Sequence, residues 1–439
     1  MNQLSKAKIL MLGFQHVCVM YGGAVAVPLM IGPAIGLTPE EIVYLIAFDL
    51  FACGIATCIQ VIGGFGFGIK LPALMATSFI VVEPIIAIGK EYGITGVLGS
   101  VAVSGLIIAL AAPLIGRLSI FFPPVVTGSI ILIIGASLMP VAMKNAAGGE
   151  GSASFGDPTN LLLAAITLVS FLVLNVLLKG FMKAIALLLA LVIGSVVGNF
   201  FGLVSAEAVA NASWFSMVQP FHFGTPTFQV SSIITMSIIS LIVAIESIGV
   251  FIALGEICKQ DVDRKAITKG IRAEGLGSML SGIFNSFNHS TFSQNVGLVM
   301  LTRVTDRAVV ICAGVILLIL GLVPKVSAIT TMIPTPVLGG AMIPMFGMLM
   351  VAALQMLVKA DMTKPSNQLI VAVGVGIGLA IKGSHGVFDA LPETARLLVG
   401  NGVVMGTFTL LILNLVLNGK PSKDDANAHH HGHAETKAS

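Results

Sequence analysis

Long apolar runs fill this chain, and the polar positions inside them are few enough to name. The first set lies at about Ile9–Gly32, Val43–Gly64, Leu71–Gly89, Thr95–Gly116, Pro124–Met143, Asn160–Leu178 and Phe181–Val204. A polar stretch, Ser205–Val230, follows. The second set lies near Ile233–Gly255, Gly275–Phe287, Thr291–Leu301, Ala308–Leu322, Val337–Leu357, Leu369–Ile381 and Ala395–Leu417. Most runs approach the roughly 20 residues an α-helix needs to cross a bilayer core. The pattern predicts an all-α membrane protein with fourteen transmembrane segments in two groups of seven. An odd number per group turns the second upside down relative to the first, which gives two inverted 7-span repeats.

The third segment of each group breaks the pattern. Leu71–Gly89 contains Pro72 and Pro84, and Thr291–Leu301 is too short to cross as one helix. Matching interruptions in two repeats point to a binding site near the midplane. Ala76-Thr77-Ser78-Phe79 and Asn288-His289-Ser290-Thr291-Phe292-Ser293 are expected to be extended rather than helical, and to meet near the bilayer centre as short antiparallel strands.

Charge supports this count. With both termini cytoplasmic, 18 of the 23 Lys and Arg fall inside and 5 outside, as the positive-inside rule requires. The loop from Lys259 to Arg272 alone carries five of them. Composition agrees. Hydrophobic residues make up 56% and charged residues 10% of 439, against roughly 25% charged in a soluble domain. A water-soluble globule is excluded. The five cysteines sit mostly in apolar runs and read as reduced. Gly64-Phe65-Gly66-Phe67-Gly68 and Gly374-Val375-Gly376-Ile377-Gly378 lack a βαβ context, and the 49 glycines read as close helix packing. No Walker phosphate loop, nucleophile–base cluster or HExxH occurs, so neither an ATP-driven pump nor an enzyme is expected. No cofactor or metal is expected; the His-rich segment Asn427–His433 reads as a solvated tail.

Candidate chemistry rests on polar groups inside the runs. Gln294 and Asn295 open a short apolar segment, where side-chain amides need partners. A Gln amide presents a donor beside an acceptor, which matches a purine edge. Glu246 lies mid-span and must be paired, solvated or protonated. Glu274 is either a proton site or a charge at the cytoplasmic edge beside Arg272. His16 is read as fixing the first helix against the site. Asp49 is open between polar packing and ion coupling, and Glu83 is placed near the outer surface beside Lys90. Phe79 is positioned to stack on a flat ring. Asn295 is expected to bond the strand-like backbone.

These residues carry a resemblance to the nucleobase–ascorbate transporter family (nucleobase:cation symporter-2), and most closely to its bacterial xanthine and uric acid permeases. The family signature Gln/Glu-Asn-x-Gly-x4-Thr-Lys/Arg/Gly is matched by Gln294, Asn295, Gly297, Thr302 and Arg303. The family's first-span Gln-His is matched by Gln15-His16, its eighth-span Glu by Glu246, its ninth-span acid by Glu274, and its third-span motif by Thr77-Ser78-Phe79. The resemblance implies a core domain (1–116 and 231–330), a gate domain (117–230 and 331–418) and a tail, 419–439. It implies a homodimer in the bacterial inner membrane that couples nucleobase import to a cation by alternating access. Glu246 and Gln294 would hold the base, with Phe79 stacking, the Ser293 backbone contributing and Thr77 and Ser78 in support. Gln at position 294 favours xanthine or uric acid over uracil. Many xanthine members carry an Asp where this chain has Val250, so coupling would rest on Glu246, Glu274 or both, with the proton preferred to sodium. A uracil permease and an anion exchanger or channel of the same architecture are the competing readings.

Overall fold

The strand pair organises the interior. In the computed structural model, which describes residues 4–384, 386–388 and 390–419, β1 (Met75–Thr77) pairs antiparallel with β2 (His289–Thr291). Met75 faces Thr291, Ala76 faces Ser290 and Thr77 faces His289. The ladder runs one bond further at each end, Ser78 N to Asn288 O at 3.2 Å and Phe292 N to Leu74 O at 2.8 Å. Both strands are buried. Backbone groups there have no bulk water to bond, and the pairing satisfies them within the protein.

Helices surround the pair. The first half supplies α1 (Lys6–Ala24), α2 (Ala26–Ala34), α3 (Pro39–Ile62), α4 (Val82–Leu118, two helical stretches joined by a kink at Gly93, which separates the expected runs ending at Gly89 and beginning at Thr95), α5 (Pro124–Ala146), α6 (Pro158–Leu177), α7 (Gly180–Ala184) and α8 (Ala186–Phe200). After the short α9 (Glu207–Asn211) come α10 (Val230–Cys258), α11 (Arg264–Ile283), α12 (Ser293–Thr302), α13 (Arg307–Gly321), α14 (Pro324–Thr331), α15 (Thr335–Val358), α16 (Pro365–Gly383), α17 (Glu393–Val399) and α18 (Gly402–Leu417).

Local chemistry explains the starts. A capping box opens α3: Glu41 N donates to Thr38 Oγ1 and Thr38 N to Glu41 Oε2, with Pro39 in the first turn. Asp263 caps α11 by accepting from Ala266 N at 2.7 Å. Asp157 caps α6, and the Thr159 backbone N–H holds its carboxyl below the usual range.

Eight helices among the described residues are long and apolar enough to cross a membrane, or nine if α13 and α14, bent by 83°, are one span. Two shorter apolar helices, α8 and α18, add to these. The chain is therefore a mostly helical multi-pass membrane protein. Several expected boundaries move. The first run is two helices meeting at Val25. The run placed at Gly275–Phe287 begins at Arg264, because the basic residues that looked like loop form the first turns of α11. Phe79, expected to be extended, opens a 3-10 turn, Phe79–Val81, because Ser78 Oγ accepts from Ile80 N at 3.3 Å. The Thr291–Leu301 run divides into the end of β2 and the ten residues of α12.

Two compact units result, one from Met1–Ala112 with Leu138–Phe346, the other from the described residues of Pro113–Ser137 and Gly347–Ser439. In the first unit α4 and α11 cross backbone to backbone. A Cβ on Gly275 would lie 2.7 Å from Gly105 O, and one on Gly105 would lie 2.7 Å from Gly275 O. Only glycine allows this approach, and it sets the depth of neighbouring Glu274. In the second unit α16 and α18 pack closely, with Asn418 Nδ2 donating to Asn367 Oδ1 at 2.8 Å. The His-rich tail lies outside the described residues.

Candidate functional site

Every residue singled out for the site belongs to the first unit. Its frame is β2 with α10 and α11 packed against it, and α12, which follows β2 in the chain, packed on α10 and α1. Glu274 sits in mid-helix on α11, only 2% exposed. Its Oε1 accepts from Thr291 N at 3.0 Å and Thr291 Oγ1 at 2.7 Å. Glu274 is thus a buried group rather than a surface charge. Its Oε2 meets no donor among the described residues.

Glu246 is half-buried on α10. Its neighbour Ser247 accepts from Thr291 N at 3.4 Å, so Thr291 lies between the helices that carry the two acids. Glu246 is within electrostatic reach of Glu274. Two residues beyond β2, α12 begins at Ser293 with no side-chain cap on its first turn. Ser293 and Gln294 are exposed, and Ser293 Oγ donates to Gln294 Oε1 at 3.2 Å. The structure thus groups Glu246, Glu274, Ser293 and Gln294 around one strand end. No hydrogen bond joins Glu246 to Gln294.

Asn295 faces the other way. Its Oδ1 meets His16 Nδ1 at 2.9 Å, joining α12 to α1 in a buried contact. The expected bond from Asn295 to the strand backbone is not made, because the turn from β2 into α12 points this side chain at α1. Its Nδ2 has no partner among the described residues. Phe79 is 8% exposed and packs edge-on against Phe346, ring centres 5.7 Å apart.

Thr77 turns away from these groups. Its Oγ1 donates to Asp49 Oδ1 at 2.5 Å, as does Ser286 Oγ at 2.5 Å. Asp49 lies beside Cys53 and His289, with ligating atoms within 4.8 Å of one another. Cys53 Sγ is 3.0 Å from His289 Nε2, and Ser281 Oγ is 2.5 Å from His289 Nδ1. Ser78 stays local as the cap on the 3-10 turn. Glu83 is half-buried in the first turn of α4.

Sequence reasoning assigned no role to Cys53, His289, Asn288, Ser104 or Ser240. The last three are one contact: Asn288 Nδ2 donates to Ser104 Oγ at 3.1 Å and Ser240 Oγ at 2.9 Å. A signal was present. Asp49 and Cys53 are four apart on one helix face, and Asn288-His289 is a polar pair at a strand start. Nothing in the spacing connects these to each other.

Known proteins bear on this arrangement. Residues 7–386 match the model of the Permease family, which covers most of the chain. The chain is 48% identical over 411 residues to the xanthine permease of Bacillus subtilis, covering 94% of each. It is 44% identical over 419 residues to the uric acid permease PucK of the same organism, covering 95% of this chain and 97% of the relative. Its fold resembles the transmembrane domain of the cyanobacterial bicarbonate transporter BicA, with a TM-score of 0.58 at 14% identity, covering 93% of this chain and 96% of that one. The chain therefore belongs to the permease family, the nucleobase–ascorbate transporters whose signature it carries at Gln294–Arg303, and is a membrane transporter rather than an enzyme.

Proposed function

We propose that the protein imports purine nucleobases, xanthine and/or uric acid, across the bacterial inner membrane by proton-coupled alternating access. The observation that carries this is the grouping of a half-buried carboxylate, Glu246, and an accessible amide, Gln294, about the end of β2. Glu246 accepts ring N–H groups of the base. The Gln294 amide meets a ring N–H beside a carbonyl with its own acceptor and donor. The first turn of α12, at Ser293, offers backbone N–H groups. Phe79 stacks on the flat ring. His16 and Asn295 hold α12 in register, and Thr77 and Ser78 hold β1 and the turn after it. The names and identities of the relatives support the substrate class. The acidic character of the site supports it over the anion-exchanger reading, which calls for a basic group.

Glu274 takes the coupling proton. It is buried and bonded to the strand that leads into Gln294, so its protonation state bears on the substrate groups. The fourteen-span arrangement with a core moving against a gate, cytoplasmic termini and a homodimer complete the proposal. Uptake of labelled xanthine under an imposed proton gradient, with a panel of unlabelled purines and pyrimidines, tests it. Xanthine or uric acid should compete and uracil should not. Glu246→Gln should damage binding, whereas Glu274→Gln should spare binding and lose accumulation. Both variants concentrating xanthine like the parent would sink this mechanism.

A further inference from the structure

Asn288 carries a hydrogen-bonding pattern that the transport reading leaves unused. Its side chain is buried, 1% exposed. Its Nδ2 donates to Ser104 Oγ and Ser240 Oγ. The hydroxyl of Ser104 gives its hydrogen to Val101 O at 3.0 Å, so toward Asn288 it can only accept. The nitrogen end of the amide must face Ser104, and the amide cannot be flipped without losing that bond. The Oδ1 end is left with no donor among the described residues.

Glu274 is in the same position. Both its hydrogen bonds from Thr291 go to Oε1, and Oε2 has none among the described residues. These two buried acceptors belong to residues lining one cavity, together with Ser240, Ser278 and His289. Two orphaned acceptors on residues that line one space are unusual in a folded interior. Something that donates hydrogen belongs between them. The cavity has room for about one water.

We propose that this cavity is a proton-storage site in which Glu274 Oε2 and Asn288 Oδ1 are bridged by a single water, with Asn288 as the positioning residue for the coupling proton. The proposal rests on the assignment of Glu274 as the coupling acid. When Glu274 is ionised, the water donates one hydrogen to Oε2 and the other to Asn288 Oδ1. When a proton arrives, an O–H bond forms at Oε2 and donates to the water oxygen. The water keeps its bond to Asn288 Oδ1 and turns its second hydrogen to a serine hydroxyl. Release of the proton breaks the O–H bond and reverses the turn. No heavy atom moves in either direction. Asn288 also ties α4 to α10, and its carbonyl accepts from Ser78 N next to β1, so the stored proton lies at the junction of the elements that frame the site.

The titratable groups around Glu274 are Glu246 on α10 and His289 on β2, with Asp49 and Cys53 of α3 behind His289. The face that α4 gives to the cavity, Gly105 and Ile108, holds none.

The test uses the full-length protein in proteoliposomes, with labelled xanthine uptake followed against pH. Asn288→Ala should move the pH of half-maximal uptake to the acid side by about one unit, because the Oδ1 acceptor strengthens the chain running from the protonated acid through the water and opposes the ionised carboxylate. The KM for xanthine should change by less than about threefold, since Asn288 does not touch substrate. Asn288→Asp should move the midpoint the opposite way, because two carboxylates then share one proton. A merely structural clip would not give opposite shifts. Ser104→Ala leaves Ser240 on Nδ2 but removes the acceptor that fixes which end of the amide faces the cavity, so it should shift the profile part of the way toward that of Asn288→Ala. Infrared difference spectra provide a second readout. The carboxylic-acid band lost in Glu274→Gln should lie at higher frequency in Asn288→Ala. If parent uptake responds to pH while Asn288→Ala and Asn288→Asp both keep its profile, this inference is overturned and the coupling reading stands. If parent uptake ignores the proton gradient, the coupling reading itself falls. A sodium requirement raised by Asn288→Ala at a fixed pH profile would also overturn the proposal, by giving the cavity to a cation.

Discussion

Two buried polar networks flank the strand pair, and they differ in completeness. Around Asp49 the bonds close on one another: Thr77 and Ser286 donate to its carboxylate, and Ser281, His289 and Cys53 form a chain beside it. Around Glu274 they do not. Glu274 Oε2 and Asn288 Oδ1 are buried without a partner among the described residues. A closed network fixes geometry, since every change in it orphans a partner. An open one keeps free atoms for something that comes and goes. On this comparison, damage to the closed network should cost stability and damage to the open side should cost transport.

The largest effect is expected where the open side meets solvent. Glu246→Gln should weaken xanthine binding roughly 10- to 100-fold, the loss of one charge-assisted bond of about 1.5–3 kcal/mol. The amount of protein in the membrane should stay at the parent level. Binding measured on purified protein, set beside a fluorescence count of folded transporter, checks both halves. Equal binding with less folded protein would place Glu246 with the structural group instead.

Asp49→Ala should do the reverse. It leaves the hydroxyls of Thr77 and Ser286 without their acceptor. Each orphaned group costs about 1–3 kcal/mol, enough to lower the thermal midpoint in detergent and the yield. The fraction that folds should still bind xanthine. Retained stability with lost transport would move Asp49 into the coupling pathway, the alternative that its sequence position leaves open.

What could be read from the chain follows from this division. The strand pair was legible because two stretches at matching places lose helical character, and such breaks need each other's backbone. Glu246, Gln294 and Glu274 stood out as polar residues in apolar surroundings. The depth of Glu274 was not legible: basic residues through Arg272 resembled a loop, and only the glycine crossing of α4 and α11 places it in the interior. The Asp49 network was invisible for a different reason. It joins residues up to 237 positions apart, and serine, threonine and cysteine in apolar helices look alike whether or not they are bonded. Asn295 was misread for the same reason, since its partner His16 is 279 positions away.

A smaller effect sharpens the boundary between the networks. His16→Ala removes the bond to Asn295 Oδ1 and leaves that amide with no partner at either end. The first turn of α12 would then be less firmly held beneath Gln294. A rise of roughly three- to tenfold in the xanthine KM is expected, from one buried hydrogen bond acting through α12. His16→Gln should recover part of it. A pH profile unchanged from the parent would separate His16 from the proton site, whereas a shifted one would link the two.

The smallest effect is expected at Cys53, and the hydrogen-bond directions say why. Ser281 Oγ donates to Gly277 O at 2.7 Å, so it accepts from His289 Nδ1–H. That leaves His289 Nε2 as an acceptor, and the Cys53 thiol is its donor. A thiol is a weak donor, so Cys53→Ala should cost only about 1 kcal/mol of stability and change xanthine uptake by less than about threefold. Cys53→Ser, a better donor of similar size, should match or exceed the parent. Because Cys53 is buried, the parent thiol should resist maleimide until the protein is unfolded. Uptake lost in Cys53→Ser would show that the thiol itself is used. The closed network would then be a working part of transport rather than the rigid floor on which the open one operates.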